Sequence, residues 1–389
     1  MVAQTILVSA GEASGDMYAA ALVKTLAARM PGARFFGCTG PQMRAAGVRT
    51  VVDAASLAVV GLIEVVAHIP RIHREYRRLL AAAAAERPDL AILTDSPDFH
   101  LRAARRLKAM GVPVVYLVAP QAWAWRRGRL PSMRRDIDHL LCIFPFEEEF
   151  FRSHGIKTTF IGHPLARLVR PSMTRAEFLK THGLDHARPI VALLPGSRPG
   201  EAARHLPAVI EAAGRLARSH AAQFVLGIPG GRFVEVPGLA RLTERNGAPS
   251  IQVVEGQTWN LLSAADVALA ASGTVTVEAA LADTPMVVFY RVSRSSWLAG
   301  KVLVRTPFYS MVNLVAGRPV VPELMQNEMS GERLAAEAAR LLDDESARAA
   351  MRRDLLEVAA RLAPADDPFE RAAEIIEGIV GQRRTEKQS

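Results

Sequence analysis

Short apolar runs alternate along this chain with longer stretches whose apolar residues recur at helical spacing. In the first half the runs fall at residues 5–10, 34–38, 90–94, 112–118 and 139–144, and residues 17–29, 72–85 and 101–109 between them read as helices. The rhythm breaks at Gly162-His163-Pro164-Leu165 and a Pro- and Arg-containing connector reaches to about residue 174. It then restarts with runs at 190–194, 223–227, 251–254, 267–271 and 286–290, and from Ser330 onward the chain reads as helices rich in Ala, Glu and Arg. Strands alternating with helices predict a parallel, doubly wound α/β sheet, here built twice. A chain of 389 residues exceeds one typical core, so two domains are expected, meeting at a cleft with ligands at the carboxyl ends of the strands. The polar tail 382–389 reads as a frayed end.

Composition refines this picture in three places. Half the residues are apolar and 6% aromatic, as expected of helices packed on buried parallel strands. No apolar run reaches the 18 or so residues of a membrane span, and the opening residues read as a first strand, not a signal peptide. Cys38 and Cys142 lie in strand-like runs without a CxxC partner, which points to buried thiols in a reducing cytosol. Charge is uneven: residues 65–135 hold 14 Lys/Arg against 5 Asp/Glu, a surplus equal to the net +9 of the whole chain. A basic patch implies an anionic partner, and nucleic acid is the weaker option because interleaved aromatics and helix-turn-helix or zinc-finger spacings are missing.

The candidate chemistry sits where strands end. The run 267–271 leads into Ser272-Gly273-Thr274 and then a helix-like stretch to Ala282. Small residues there leave the first helical N–H groups bare, an anion site by geometry and dipole. Glu278, about one turn deeper, can accept hydrogen bonds from a ribose diol. An ordinary turn with a solvated Glu is the competing reading. Leu194-Pro195-Gly196-Ser197-Arg198 offers a hydroxyl and a guanidinium fork for a diphosphate, without the Gly-Lys-Ser/Thr of a P-loop.

In the first half, Gly11, Glu12, Ser14 and Asp16 follow the first strand and suit a sugar or acceptor, with Gly11 and Gly15 permitting close backbone approach; Ser14 or Asp16 equally suits helix capping. Asp95-Ser96-Pro97-Asp98-Phe99 puts two carboxylates at a strand end. Pro97 keeps Ser96 out of helical geometry, so Asp95 is the expected general base and Asp98 a residue of the helix N-terminus. No further carboxylate or His cluster accompanies them, so no metal is expected. Trp123 and Trp125 beside Arg126 and Arg127 suit a sugar face or an interface, with one Trp expected in the core. Asn313 and Gln326 are polar groups in apolar sequence and candidate contacts for acceptor or sugar; Asn313 suits orienting a phosphate or sugar, with core satisfaction as its alternative. Between Val59 and Leu80, Ile63, Val65, Val66, Ile69 and Ile72 crowd together beside Arg71, Arg74, Arg77 and Arg78, and Pro70 reads as a break or a helix start. The pattern fits a peripheral membrane surface or a core helix with a solvated basic face.

Taken together, SAGEASGD (9–16), DSPDF (95–99), WAWR (123–126), IGHPL (161–165), LLPGSR (193–198), ASGTVTVE (271–278) and NLVAGRPVVPELMQ (313–326) resemble the lipid-A-disaccharide synthases, bacterial GT-B glycosyltransferases. LPGSR and SGT-x-x-x-E recur in more distant sugar-nucleotide enzymes, whereas WAWR with GE-x-SGD is far more specific. The resemblance implies a GT-B fold of two Rossmann-like domains: residues 1–165, completed by helices 350–389, for acceptor and membrane, and 166–349 for the donor. It implies inverting transfer without metal or cofactor, from UDP-2,3-diacylglucosamine to 2,3-diacylglucosamine 1-phosphate (lipid X). Asp95 matches the base, Arg198 the diphosphate arginine, Ser272–Thr274 the phosphate turn, Glu278 the ribose carboxylate and Ile63–Ile72 the membrane-facing surface. The implied location is cytoplasmic, on the inner face of the inner membrane, with a homodimer left open. His100 stands where the family commonly has Asn, and Val312 where Pro is common. The rivals are another GT-B enzyme, a UDP-N-acetylglucosamine transferase or 2-epimerase, against which Asp95 and WAWR argue, and a non-catalytic nucleotide-binding protein.

Overall fold

The computed structural model describes residues 4–57, 62–230, 249–293, 297 and 306–388, with the backbone alone for 62–68 and 384–388. The apolar runs of the first half become β1 (Thr5–Ala10), β2 (Arg34–Thr39), β4 (Leu90–Thr94), β5 (Val114–Leu117) and β6 (His139–Cys142), joined by two edge-side strands, β3 (Arg49–Asp53) and β7 (Thr158–Phe160). They form one parallel sheet in the order β3-β2-β1-β4-β5-β6-β7. Every residue of β1 and β4 is buried, which is why both read as unbroken apolar runs and not as alternation. β3, by contrast, leaves three of its five residues exposed, and the hydrophobic pattern misses it. The run expected at 112–118 is trimmed to β5 because Pro113 has no N–H to give a ladder and Val118 turns to a φ of +66°.

The second half repeats the plan with β8 (Ile190–Leu194), β9 (Gln223–Ile228), β10 (Ile251–Glu255), β11 (Val267–Ala271), β12 (Met286–Tyr290) and β13 (Glu323–Met325), all parallel, in the order β10-β9-β8-β11-β12-β13. β13 has three residues, too short for a periodic signal. In each sheet the strand order reverses once, between β1 and β4 and between β8 and β11. Ligands of doubly wound sheets lie beyond the carboxyl ends of the strands at such a reversal.

The chain divides into two compact units, Met1–Pro164 with Leu362–Ser389, and Leu165–Arg361. In the first, the helix Pro368–Gln388 lies against the helix Ala13–Arg29, burying Ala372, Ala373 and Ile376. Arg29 reaches Glu370 at 2.9 Å and Glu377 at 2.7 Å along this seam. Neither the break nor the helix start expected at Pro70 occurs. The helix Leu62–Glu86 runs through it, forgoing only the one hydrogen bond that proline cannot donate.

Candidate active site

At the reversal of the first sheet, Ala10 of β1 is in register with Thr94 of β4, so the turns that follow the two strands meet. Asp95 Oδ1 accepts from the Gly11 N–H at 2.8 Å and Oδ2 from the Glu12 N–H at 3.1 Å. The fit requires glycine: a Cβ at Gly11 would come 2.3 Å from Ser96 Oγ, and one at Gly15 would come 1.7 Å from Asp95 Oδ2. Asp95 and Ser96 both have positive φ, +54° and +36°, a strained pair for non-glycine residues. What holds the turn grips the backbone. The Asp95 carbonyl accepts from the Tyr116 hydroxyl at 2.5 Å and from His100 Nδ1 at 2.9 Å. A carbonyl cannot donate, so Nδ1 carries the proton and Nε2 accepts from Ser9 Oγ at 2.7 Å. His100 is fully buried, and burial holds its imidazole neutral, lowered to about 4, although its bond to Asp95 opposes this.

Burial pushes the Asp95 carboxyl from 3.8 up to about 7, against the two amide bonds and Ser96 that favour the ionised form. A carboxylate poised near neutrality at a strand tip, with its backbone locked from behind, can serve as a general base. His100, Tyr116 and Ser9 escaped the reading of the sequence because they act on a backbone atom. Only the departure from Asn at position 100 marked any of them.

The neighbouring candidates separate. Glu12 is exposed and Ser14 half-buried at the opening of the helix Ala13–Arg29, next to the Asp95 turn. Asp16 is a correction: 2% exposed, it accepts from the Gly40, Gln42 and Met43 N–H groups at 2.8–3.1 Å and caps the helix Pro41–Ala45, which occupies both its oxygens. Trp123 is buried and donates to Glu147 Oε1 at 2.9 Å. Trp125 is half-buried, but Arg126 stacks on its ring at 4.4 Å and Arg129 lies at 5.6 Å, so guanidiniums occupy ground expected for a sugar. Both arginines also bind Asp98 in the first turn of the helix Pro97–Ala109.

At the reversal of the second sheet, Leu194 of β8 is in register with Ala270 of β11. The turns that follow these neighbouring strands carry Ser197 and Arg198, both exposed at the start of the helix Pro199–Ser219, and Ser272, Gly273 and Thr274 at the start of the helix Thr274–Leu281. Glu278 lies one turn into that helix, its carboxyl raised by burial against a hydrogen bond from Trp259. The Ser272 hydroxyl donates to the Tyr309 carbonyl at 2.8 Å and its N–H to Phe289, so Ser272 has its proton committed and the amides after it remain for an anion. Behind the arginine turn, fully buried His205 donates from Nδ1 to the Pro195 carbonyl at 2.8 Å. Its Nε2 accepts from the Arg291 N–H at 3.0 Å, which ties the ends of β8 and β12 together.

Asn313 is a second correction. It is 1% exposed, its Nδ2 donates to Val321 O and Glu323 Oε1, and its Oδ1 accepts from the Val320 and Val321 N–H groups. Its amide is fully used in pinning the loop before β13, so core satisfaction wins over ligand orientation. Gln326, at the end of β13 with a φ of +54°, keeps a buried Nε2 without a partner among the described residues. On the helix Leu62–Glu86, Ile69 is 54% exposed and Ile72 half-buried, while the side chains of Ile63, Val65 and Val66 lie outside the described residues. A depression of about 440 Å³ lined by Pro70, His73, Arg74, Arg77, Arg78 and Ala81 follows the same helix. Among the described residues no helix is long and apolar enough to cross a membrane.

Comparison with known proteins identifies the family and the fold. The family model described as lipid-A-disaccharide synthetase matches residues 6–365. A lipid-A-disaccharide synthase of Solibacter usitatus is 61% identical over 379 residues, 96% of this chain and 98% of that protein. One of Myxococcus xanthus is 44% identical over 92% of this chain and 93% of its own. Among solved structures, a UDP-GlcNAc 2-epimerase from Neisseria meningitidis bound to UDP-GlcNAc superposes with a TM-score of 0.60 at 13% identity, covering 97% of this chain and 100% of that one. A calicheamicin glycosyltransferase does so with a TM-score of 0.60 at 18% identity, covering 98% and 99%. At such identities the structural likeness speaks for the two-domain Rossmann-like fold alone.

Proposed function

Because this chain belongs to the lipid-A-disaccharide synthetase family, we propose that it joins UDP-2,3-diacylglucosamine to lipid X with inversion, releasing UDP and the β-1,6-linked disaccharide 1-phosphate. It is a glycosyltransferase of lipid A biosynthesis. The observation that carries the assignment of chemistry is the Asp95 carboxylate, held by two backbone amides on a strained turn and raised by burial to about 7. Asp95 takes the proton of the acceptor 6-hydroxyl as that oxygen attacks C1 of the donor sugar and the C1–O bond to UDP breaks. Negative charge then grows on the departing β-phosphate. Arg198 and the Gly273 and Thr274 amides are the groups suited to stabilise it, with Ser197 alongside and Glu278 accepting from the ribose hydroxyls. Gly11, Glu12, Ser14 and Gln326 are retained as contacts for sugar or acceptor. In this reading the first unit carries acceptor and membrane, and the second unit carries the donor.

Both substrates are acylated, so the enzyme works best docked on the cytoplasmic face of the inner membrane. Exposed Ile69, flanked by Arg71, Arg74, Arg77 and Arg78, supports such docking: the apolar side chain enters the interface and the basic rim meets anionic headgroups. The first test is Asp95→Asn. Turnover, followed as UDP release, should fall by about 10²–10⁴-fold while UDP affinity stays within about twofold. Unchanged turnover would remove Asp95 as the base.

A further inference from the structure

Beside the base lies a charge cluster that the reading above leaves without a ligand. Asp98, in the first turn of its helix, accepts from Arg126 Nη1 at 2.9 Å and from Arg129 Nη2 at 2.6 Å. Both guanidiniums lie against Trp125. A simple surface ion pair would need one cation per carboxylate and little order. Here two cations converge on one carboxylate that is 72% exposed, while Arg129 itself is only 14% exposed and is held in place. Arg126 adopts a left-handed φ of +56°, a strained conformation for a non-glycine residue, at the start of the turn that carries Arg129. Asp98 engages one terminal nitrogen of each fork. Among the described residues, the remaining N–H donors of both have no protein acceptor. The cluster is one positive charge in excess and open on the solvent side.

Its position matters as much as its charge. Asp98 and Arg129 follow β4 and β5, which are neighbours in the sheet, and Asp98 is three residues from Asp95. The charges of Asp95, Arg129, Asp98 and Glu12 all act on the buried Tyr116 hydroxyl, which donates to the Asp95 carbonyl. The cation pair and the base therefore share one end of the sheet.

We propose that Arg126 and Arg129, aligned by Asp98 and Trp125, form the binding site for the phosphate monoester of the acceptor sugar. The ligand is a dianionic phosphate borne on the same ring whose hydroxyl is deprotonated by Asp95. Two guanidinium forks suit its three oxygens, and Asp98 keeps the like charges together while the site waits. This assignment rests on the activity proposed above and names the part of the chain that reads the acceptor's charged end.

The test uses the full-length enzyme in neutral detergent with saturating UDP-2,3-diacylglucosamine. Two acceptors are compared, 2,3-diacylglucosamine 1-phosphate and the same diacylglucosamine without phosphate. Arg129→Ala, and the more exposed Arg126→Ala as a second variant, should each raise KM for the phosphorylated acceptor by about 10–100-fold. KM for the unphosphorylated acceptor and the affinity for UDP should stay within about twofold of wild type. Equal changes for both acceptors, or none for either, would overturn the site. So would variants whose one defect is weaker binding to anionic vesicles in the absence of acceptor, since the cations would then serve a lipid headgroup. A wild-type enzyme that turns over neither acceptor refutes the activity itself, and this site with it.

Discussion

Asp95 is pulled in two directions, and its proton inventory follows from the balance. Burial favours the neutral acid, while the Gly11 and Glu12 amides favour the anion, and burial wins, with the group moving from 3.8 to about 7. To act as the proposed general base it must be ionised, so kcat/KM should fall tenfold per pH unit as pH drops below about 7. Glu147 is raised by burial to about 7 as well, but it binds Trp123 and the turn at Ile143–Phe144. Glu147→Gln should leave the acid limb in place, and a limb that moved with it would take the base assignment away from Asp95. Stability carries the opposite signature from a salt-bridged carboxylate. Between pH 3.8 and about 7 the folded state holds a proton that the unfolded chain releases, so the Asp95 contribution to stability declines as pH rises through that window. The span corresponds to about 4 kcal/mol at most. Measured by denaturant titration, wild type should gain on Asp95→Asn as pH falls from 7 to 4; a constant difference would show that the carboxyl is not displaced in the folded state.

At the scale of elements, the helix Ala13–Arg29 must begin close against the tip of β4, and Gly15 is what allows it. By helix propensity, alanine at this position should stabilise the helix by up to about 1 kcal/mol. Its Cβ would instead fall 1.7 Å from Asp95 Oδ2 and displace the carboxylate from its amides. Gly15→Ala should therefore cost at least about tenfold in kcat while the thermal midpoint changes by no more than a few degrees. Retention of full kcat would show that the Asp95 carboxylate tolerates the shift. His205 acts similarly on backbone in the second unit, holding Pro195 so that the turn to Arg198 starts from a fixed point. Both devices are elements meeting at strand ends, and neither shows in the residues of one element alone.

For the whole molecule, the proposed docking on a membrane surface is open to a direct test. Ile69→Glu places a charge at an exposed apolar position of a helix whose other flank is basic. It should weaken co-sedimentation with anionic liposomes by about three- to tenfold without lowering the thermal midpoint. Unaltered co-sedimentation would count against docking through this helix. The two-fold repetition of the α/β plan was legible in the chain because strands buried on both faces must be apolar throughout; β1, β4, β8, β11 and β12 appear with the expected limits. The exposed edge β3 and the short β7 and β13 carry no such signal. The placement of Asp95, Arg198 and Ser272–Glu278 just beyond strand ends was legible as well, because each follows an unbroken apolar run. Local sequence could not tell whether Asp16 and Asn313 faced a ligand or the protein's own amides. Their partners at Gly40–Met43 and Val320–Glu323 are set by folding, and buried polar groups go to whichever donors the fold brings near. The same limit applies to the clamp of Ser9, His100 and Tyr116 on the Asp95 carbonyl. Strand order, a property of the folded sheet, makes β1 and β5 the neighbours of β4, and only that adjacency brings Ser9 and Tyr116 to the turn that carries Asp95 and His100.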